Sequence, residues 1–279
     1  MIKTALIGHP VSHSLSGIIH NAAFKALGVE GKYEVIDVPT GKLQSVIQKL
    51  KNENYSGFNV TIPYKVDVKS YLSMSDIFAE YAGCTNCVKI KPNGMMYGYN
   101  TDIYGFSHAI PDRIRNSLKD KKVLVLGNGG AARAVAVALG MLEVSQIDFR
   151  VRDFGKAQNL FDNVKRIFPK TEVNLIKVID NISQYSMIVN TTPLGTSGEN
   201  QDKMPIASSL LEHADKSVLV YDLVYNPTET QLIKAAKSNG LSTVGGLDML
   251  IGQAVKGFKI FTGLDADFNL MKTEALKFL

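Results

Sequence analysis

The run Lys-Lys-Val-Leu-Val-Leu126 leads into Gly127-Asn128-Gly129-Gly130-Ala131-Ala132 and then into an alanine-rich helical stretch. The spacing Gly127-x-Gly129-x-x-Ala132 is that of a dinucleotide-binding turn. The first glycine permits the tight turn, and the second lets main chain approach a pyrophosphate. The small third residue lets helix and strand pack closely. The helix start then offers unpaired N–H groups and a partial positive charge to phosphate. The adenosine ribose is expected at the end of the next strand, Phe149-Arg150-Val151-Arg152-Asp153-Phe154-Gly155-Lys156. An acid there favours the free 2′-hydroxyl of NAD, and arginine favours the 2′-phosphate of NADP. Arg150, Arg152 and Lys156 point one way and Asp153 the other. Alternation along an extended segment puts Arg150 and Arg152 on one side.

Three further groups carry potential chemistry. Ser14 and Ser16 either cap a helix beginning near Leu15 or bind a carboxylate there. Asn59 and Thr61, two apart on a strand, face the same side. Polar groups on a buried face need partners, which a polyol or a neighbouring loop would supply. Cys84-Thr-Asn-Cys87 has redox or metal spacing but no second pair, and His9, His13 and His20 lack the i, i+4 spacing of a helical metal pair. No metal is expected.

These residues need elements to hold them. Strands are expected at Thr4–Gly8, Tyr33–Val38 and Phe58–Ile62, with helices at Leu15–Leu27, ended by Gly28, and at Lys42–Leu50. Pro92-Asn93-Gly94 joins strands 87–91 and 95–99 as a hairpin. A second series begins near Lys121, with strands at Val123–Leu126, Ile147–Val151, Val173–Ile176, Met187–Asn190 and Val218–Tyr221. Helices at Met249–Phe261 and Asn269–Phe278 close the chain. The alternation implies parallel, helix-covered sheets, with the boundary between the two series in 102–119.

Length and composition fit this plan. The 279 residues suit one large or two modest domains, and 45% hydrophobic with 20% charged residues is ordinary globular composition. The net charge of +5 forms no basic run and suits small anionic ligands; no nucleic-acid motif accompanies it. Two cysteines cannot build a disulfide framework, no run approaches a membrane span, and the first residues carry only a short apolar run. A cytoplasmic protein is expected, with a small-molecule substrate, no membrane and no nucleic acid, as a monomer or homodimer.

Six segments together resemble the shikimate dehydrogenase family over nearly the whole chain. They are Gly8-His-Pro-Val-Ser-His-Ser-Leu-Ser-Gly-Ile-Ile-His20-Asn21, Asn59-Val-Thr-Ile-Pro-Tyr-Lys65, Gly83-Cys-Thr-Asn86, Gly98-Tyr-Asn-Thr-Asp102, Asn190-Thr-Thr-Pro-Leu-Gly195 and Gly246-Leu-Asp-Met-Leu-Ile-Gly-Gln253-Ala. The resemblance implies an α/β protein of two domains with an interdomain cleft. Residues 1–102 plus 250–279 would form the substrate-binding and catalytic domain, and 103–249 a Rossmann-type dinucleotide-binding domain. It implies reversible reduction of 3-dehydroshikimate to shikimate with NADP, NAD remaining possible, in aromatic amino-acid biosynthesis.

On matching positions, Ser14, Ser16, Asn59, Thr61, Asn86, Tyr225 and Gln253 would hold substrate, and Lys65 and Asp102 would be the catalytic pair. Gly127, Asn128, Gly129, Gly130 and Ala131 would hold the pyrophosphate. Arg150, Arg152, Asp153 and Lys156 would face the adenosine, with Leu223, Gly246 and Met249 beside the nicotinamide. Ketone reduction needs a proton for the developing alkoxide, which a lysine ammonium supplies while stabilising the oxyanion. Burial lowers a lysine pKa and a carboxylate raises it, so Asp102 opposes burial at Lys65. As a lone residue before a helical run, Asp102 also reads as an N-cap. The chain departs from the family at Gly17, Cys87, Val151-Arg152-Asp153 and Phe261. Quinate/shikimate dehydrogenases with relaxed cofactor choice are the nearest rival. A methylene-tetrahydrofolate dehydrogenase-type enzyme and a catalytically silent dinucleotide-binding regulator are further ones.

Overall fold

A computed structural model describes residues 1–279. The chain separates into two compact units, Met1–Gly105 with Ile251–Phe278, and Phe106–Leu250 with Leu279. In the first unit, β1 (Ile2–Gly8), α1 (Ser16–Ala26), β2 (Gly31–Asp37), α2 (Leu43–Asn52) and β3 (Gly57–Val60) alternate. β4 (Met74–Ser75), α3 (Ile77–Ala82), β5 (Cys87–Ile90) and β6 (Met96–Tyr99) follow, and α4 (Asp102–Ala109) spans the change of unit. The strand order is β2-β1-β3-β5-β6-β4.

This sheet is mixed, where strand–helix alternation predicts a parallel one. β1 pairs in parallel with β2 and β3, but β3 meets β5, and β5 meets β6, antiparallel. For β5 and β6 the reason is local. Asn93-Gly94 turns the chain back on itself, with Gly94 at φ +78°, and a hairpin can only pair antiparallel. The core beneath the sheet includes Ile7, Ile47, Leu50, Phe58, Val60 and Val88.

The second unit opens with a short helix, α5 (Asp112–Arg115), and then alternates strand and helix except between its third and fourth strands, which a single 3-10 turn (Ile182–Gln184) joins. Its strands are β7 (Lys122–Leu126), β8 (Gln146–Arg150), β9 (Glu172–Ile176), β10 (Met187–Asn190), β11 (Leu219–Asp222) and β12 (Ser242–Val244). Between them lie α6 (Gly130–Met141), α7 (Phe154–Ile167), α8 (Ser208–Leu211) and α9 (Gln231–Ser238). All pairs are parallel, in the order β12-β11-β10-β7-β8-β9. Counted from the unit's own first strand this is 6-5-4-1-2-3, the doubly wound dinucleotide-binding order. Such sheets gather ligands where the order reverses, at the carboxyl ends of β7 and β10. α10 (Leu247–Thr262) returns the chain to the first unit, and α11 (Phe268–Leu276) follows it. No helix is long and apolar enough to cross a membrane.

Candidate active site

A buried polar chain runs through the first unit. Lys65 Nζ donates to Asp102 Oδ2 at 2.6 Å, with the two side chains 17% and 8% exposed. The other carboxylate oxygen, Oδ1, accepts from Asn86 Nδ2 at 2.7 Å. Asn86 is itself fixed, its Oδ1 accepting the Thr101 N–H at 2.7 Å and its Nδ2 also reaching Thr101 Oγ1 at 2.9 Å. Asp102 lies in the first turn of α4, but its oxygens go to Lys65 and Asn86, which sets aside the capping reading. Burial works against the Lys65 ammonium, whereas the Asp102 charge and hydrogen bond favour it, and the balance holds its pKa above a lysine's ordinary value. The ammonium form is therefore the resting one.

Asn59 joins the same chain. Its Oδ1 accepts from Tyr33 Oη at 2.8 Å and its Nδ2 donates to the Asn86 carbonyl at 3.0 Å. The ladder ends at Val60, so Thr61 begins a turn, with Tyr64 N–H donating to its carbonyl, and the expectation that Asn59 and Thr61 share one strand does not hold. Neither serine is the N-cap of α1. Leu15 holds that place without a side-chain bond. Ser14 Oγ accepts the Ser16 N–H at 3.2 Å, and Ser16 is buried. Gln253 is half-buried on α10 and already makes polar contact within the protein. Both cysteines are buried free thiols, burial pushes the Cys87 thiol up, and no group of residues in the chain has metal-ligand geometry.

In the second unit, Gly127 ends β7 at φ +110°, and an added Cβ would lie 2.7 Å from Thr191 Oγ1. Thr191 Oγ1 donates to the Leu126 carbonyl at 2.7 Å, which locks β10 to the turn. Only glycine fits there. Gly129 is different, because a Cβ added to it would meet nothing within 4 Å. It stands at the N-cap of α6 with no side-chain cap, followed by Gly130 and Ala131. Internal packing thus does not explain Gly129, whereas close approach of a phosphate does. Asn128 lies between the two glycines, half-buried. The residues present fit a dinucleotide: the turn 127–131 would hold its pyrophosphate.

The adenosine end needs a correction. β8 stops at Arg150, so Arg152 sits in a bend beyond the strand rather than beside Arg150 on one extended face. Asp153 is the N-cap of α7, its Oδ1 accepting the Lys156 N–H at 3.2 Å. An aspartate just before a fourteen-residue helix was the available signal. Arg152, Asp153 and Lys156 are exposed and Arg150 is half-buried.

Further along, Asp222 at the end of β11 accepts from Asn190 Nδ2 at 2.8 Å and from Thr230 Oγ1 at 2.6 Å. It braces the loop that carries half-buried Leu223 and Tyr225, whose phenol burial pushes up. Gly246 is forced by backbone crowding, since a Cβ there would fall 2.1 Å from the Leu223 carbonyl oxygen. Met249 is buried in the first turns of α10.

A doubly wound sheet with the dinucleotide turn, on one chain with an α/β unit that buries a lysine–carboxylate pair, defines a two-unit α/β protein of the dinucleotide-binding class. A family model for the shikimate dehydrogenase substrate binding domain matches residues 6–88, and one for the shikimate 5′-dehydrogenase C-terminal domain matches 246–276. The chain is 37% identical to a shikimate dehydrogenase (NADP+) of Caldanaerobacter subterraneus, over 94% of this chain and 93% of that protein. Identity to the Methanocaldococcus jannaschii shikimate dehydrogenase (NADP+) is 39%, over 96% and 93%. A crystal structure of a shikimate dehydrogenase in complex with NADP+ superposes with a TM-score of 0.89 at 35% identity, covering 99% of this chain and 95% of that one. A quinate dehydrogenase from Corynebacterium glutamicum in complex with NAD gives 0.89 at 30% identity, covering 99% of each chain. The chain belongs to the shikimate dehydrogenase family.

Proposed function

We propose that the protein is an NADP-dependent shikimate dehydrogenase that reversibly reduces 3-dehydroshikimate to shikimate, with Lys65 and Asp102 as the acid/base pair. The observation that carries the reading is the buried chain Lys65–Asp102–Asn86, closed at 2.6 and 2.7 Å. When bound, the nicotinamide supplies or accepts the hydride. The chain's own residues do the rest. In the reduction direction the Lys65 ammonium donates a proton to the ketone oxygen as the alkoxide forms, and in oxidation the neutral amine takes it back. Asp102 holds the ammonium in place, and Asn86 holds Asp102. Ser14, Ser16, Asn59, Thr61, Tyr225 and Gln253 would bind substrate, with residues 1–102 and 250–279 as its domain and aromatic biosynthesis as its setting.

The raised Lys65 pKa gives a pH dependence. A lysine whose pKa rises on folding adds stability that is complete below its unfolded value, about 10.4, and is lost as pH climbs through the higher folded value. The same proton is the one donated in reduction. The alkaline fall in kcat/KM for 3-dehydroshikimate is therefore expected above about pH 10. A pH–rate profile checks this, and a fall centred near pH 8 would mean that Asp102 does not outweigh burial.

For the serines, Ser14→Ala and Ser16→Ala are expected to raise shikimate KM about tenfold or more, each removing one bond to a carboxylate. The accompanying stability loss at Ser14 is about 1 kcal/mol, since its oxygen serves a helix N–H. Lower melting temperatures with unchanged KM would reduce the serines to structural residues.

NADP is expected to be preferred over NAD. The relatives named for NADP+ support this, as do Arg152 and Lys156 at the start of α7. A second reading, NAD-tolerant quinate/shikimate dehydrogenase, draws on the quinate dehydrogenase similarity and on Asp153. The test is kcat/KM with each cofactor in the parent, Arg152→Ala and Asp153→Thr. Threonine can still cap α7, so the second change removes charge without removing the cap. Arg152→Ala should lower NADP efficiency far more than NAD efficiency, and Asp153→Thr should move preference toward NADP. A tenfold preference of the parent for NAD would favour the second reading.

A further inference from the structure

Tyr33 lies at the centre of β2 and is 3% exposed. Helix α1 grips it at two points. The Asn21 amide brackets its main chain, donating to the Tyr33 carbonyl at 2.9 Å and accepting the Tyr33 N–H at 2.8 Å. The His20 ring stacks on the phenol at 4.1 Å between centroids and 9° between planes. Ser16, buried and four residues before His20, lies on the same helix face.

His20 earns no hydrogen bond for its burial. It is 1% exposed, neither ring nitrogen has a partner, and burial pushes its pKa down to about 3. A neutral imidazole kept at that cost is explained by what its ring touches, namely Tyr33 on one face and the Phe258 and Phe261 rings beyond.

The purpose of the grip lies at the hydroxyl. A phenol has one proton, and Asn59 Oδ1 can only accept, so Tyr33 Oη donates to Asn59 at 2.8 Å. The opposite end of the Asn59 amide donates to the Asn86 carbonyl at 3.0 Å. The Asn86 carbonyl decides which way the amide faces, because a flipped amide would set oxygen against oxygen there, and the Tyr33 hydroxyl then holds the amide oxygen in place from the other side. We propose that Tyr33 is a positioning residue that fixes the Asn59 amide for substrate, held in turn by the His20 and Asn21 side of α1. The proposal rests on the shikimate dehydrogenase reading.

Tyr33→Phe keeps the ring, the stack and the main-chain bracket and removes one hydroxyl. Shikimate KM is expected to rise about tenfold, with kcat and the KM for NADP changed less than about twofold. In an Asn59→Ala background the same substitution should change shikimate KM less than about threefold, because the group it positions is gone. If Tyr33→Phe does not fold, His20→Leu, which leaves the hydroxyl but removes the ring beneath it, should raise shikimate KM in the same direction. A lowered melting temperature with unchanged shikimate KM overturns the proposal, as does an equal rise in both backgrounds. If the parent turns over no shikimate at all, the functional reading fails first and takes the proposal with it.

Discussion

Lys65→Ala is expected to lower kcat for shikimate oxidation by at least about 10²-fold, with a smaller change in substrate KM. A positioned acid or base contributes about 10²–10⁴-fold to rate, and Lys65 is the one ammonium bonded into the buried chain that ends at Asn86. Lys65→Arg is the informative control. It keeps the positive charge and a donor for Asp102, but a guanidinium does not release its proton. It should therefore stay close to Lys65→Ala in kcat while retaining more stability. Steady-state kinetics on both variants measure this, and a kcat within a few-fold of the parent would remove Lys65 from the chemistry.

Asp102→Ala is expected to damage both folding and turnover. It strands a lysine that is 17% exposed and an Asn86 Nδ2 group aimed at an empty place. Removing one partner of a buried pair costs about 3–5 kcal/mol, and the residual exposure of Lys65 puts this case near about 3 kcal/mol. Asp102→Asn fills the same volume and can still accept from Lys65, although its amide nitrogen would then face the Asn86 donor, so its stability loss should be smaller than that of Asp102→Ala. Without the carboxylate charge, burial weighs more heavily on Lys65, and the alkaline limb of the pH–rate profile should move down. Urea midpoints beside pH–rate profiles separate the two effects. An Asp102→Ala protein as stable as the parent would show that the pair is not buried in solution as it is here.

Five of the six strands of the dinucleotide unit were legible in the sequence, because their devices are local, whereas the short edge strand β12 was not expected. Gly127 and Gly129 announce a turn, the apolar run before them a buried strand, and Met187–Asn190 has the bounds expected of it. The first sheet was legible in its elements but not in its pairing. The hairpin at Asn93-Gly94 was visible, yet its effect on strand direction depends on β3 lying beside β5, a contact between residues far apart in the chain. Within the site, the sequence named Lys65, Asp102 and Asn86 by resemblance but could not say which way the lysine pKa moves. That sign depends on a 2.6 Å distance between residues 37 positions apart. Asp153 was read as a charge when its carboxylate also caps a helix. Tyr33 carried no signal, since an aromatic residue on a strand reads simply as core. Only the bond to Asn59 reveals it.

The central claim is that this chain oxidises shikimate with NADP. Initial rates with shikimate and quinate, each with NADP and with NAD, test it most directly. The expected result is a kcat/KM for shikimate with NADP that exceeds each of the other three pairs by about tenfold or more. Turnover of quinate with NAD that equals or exceeds turnover of shikimate with NADP would contradict it.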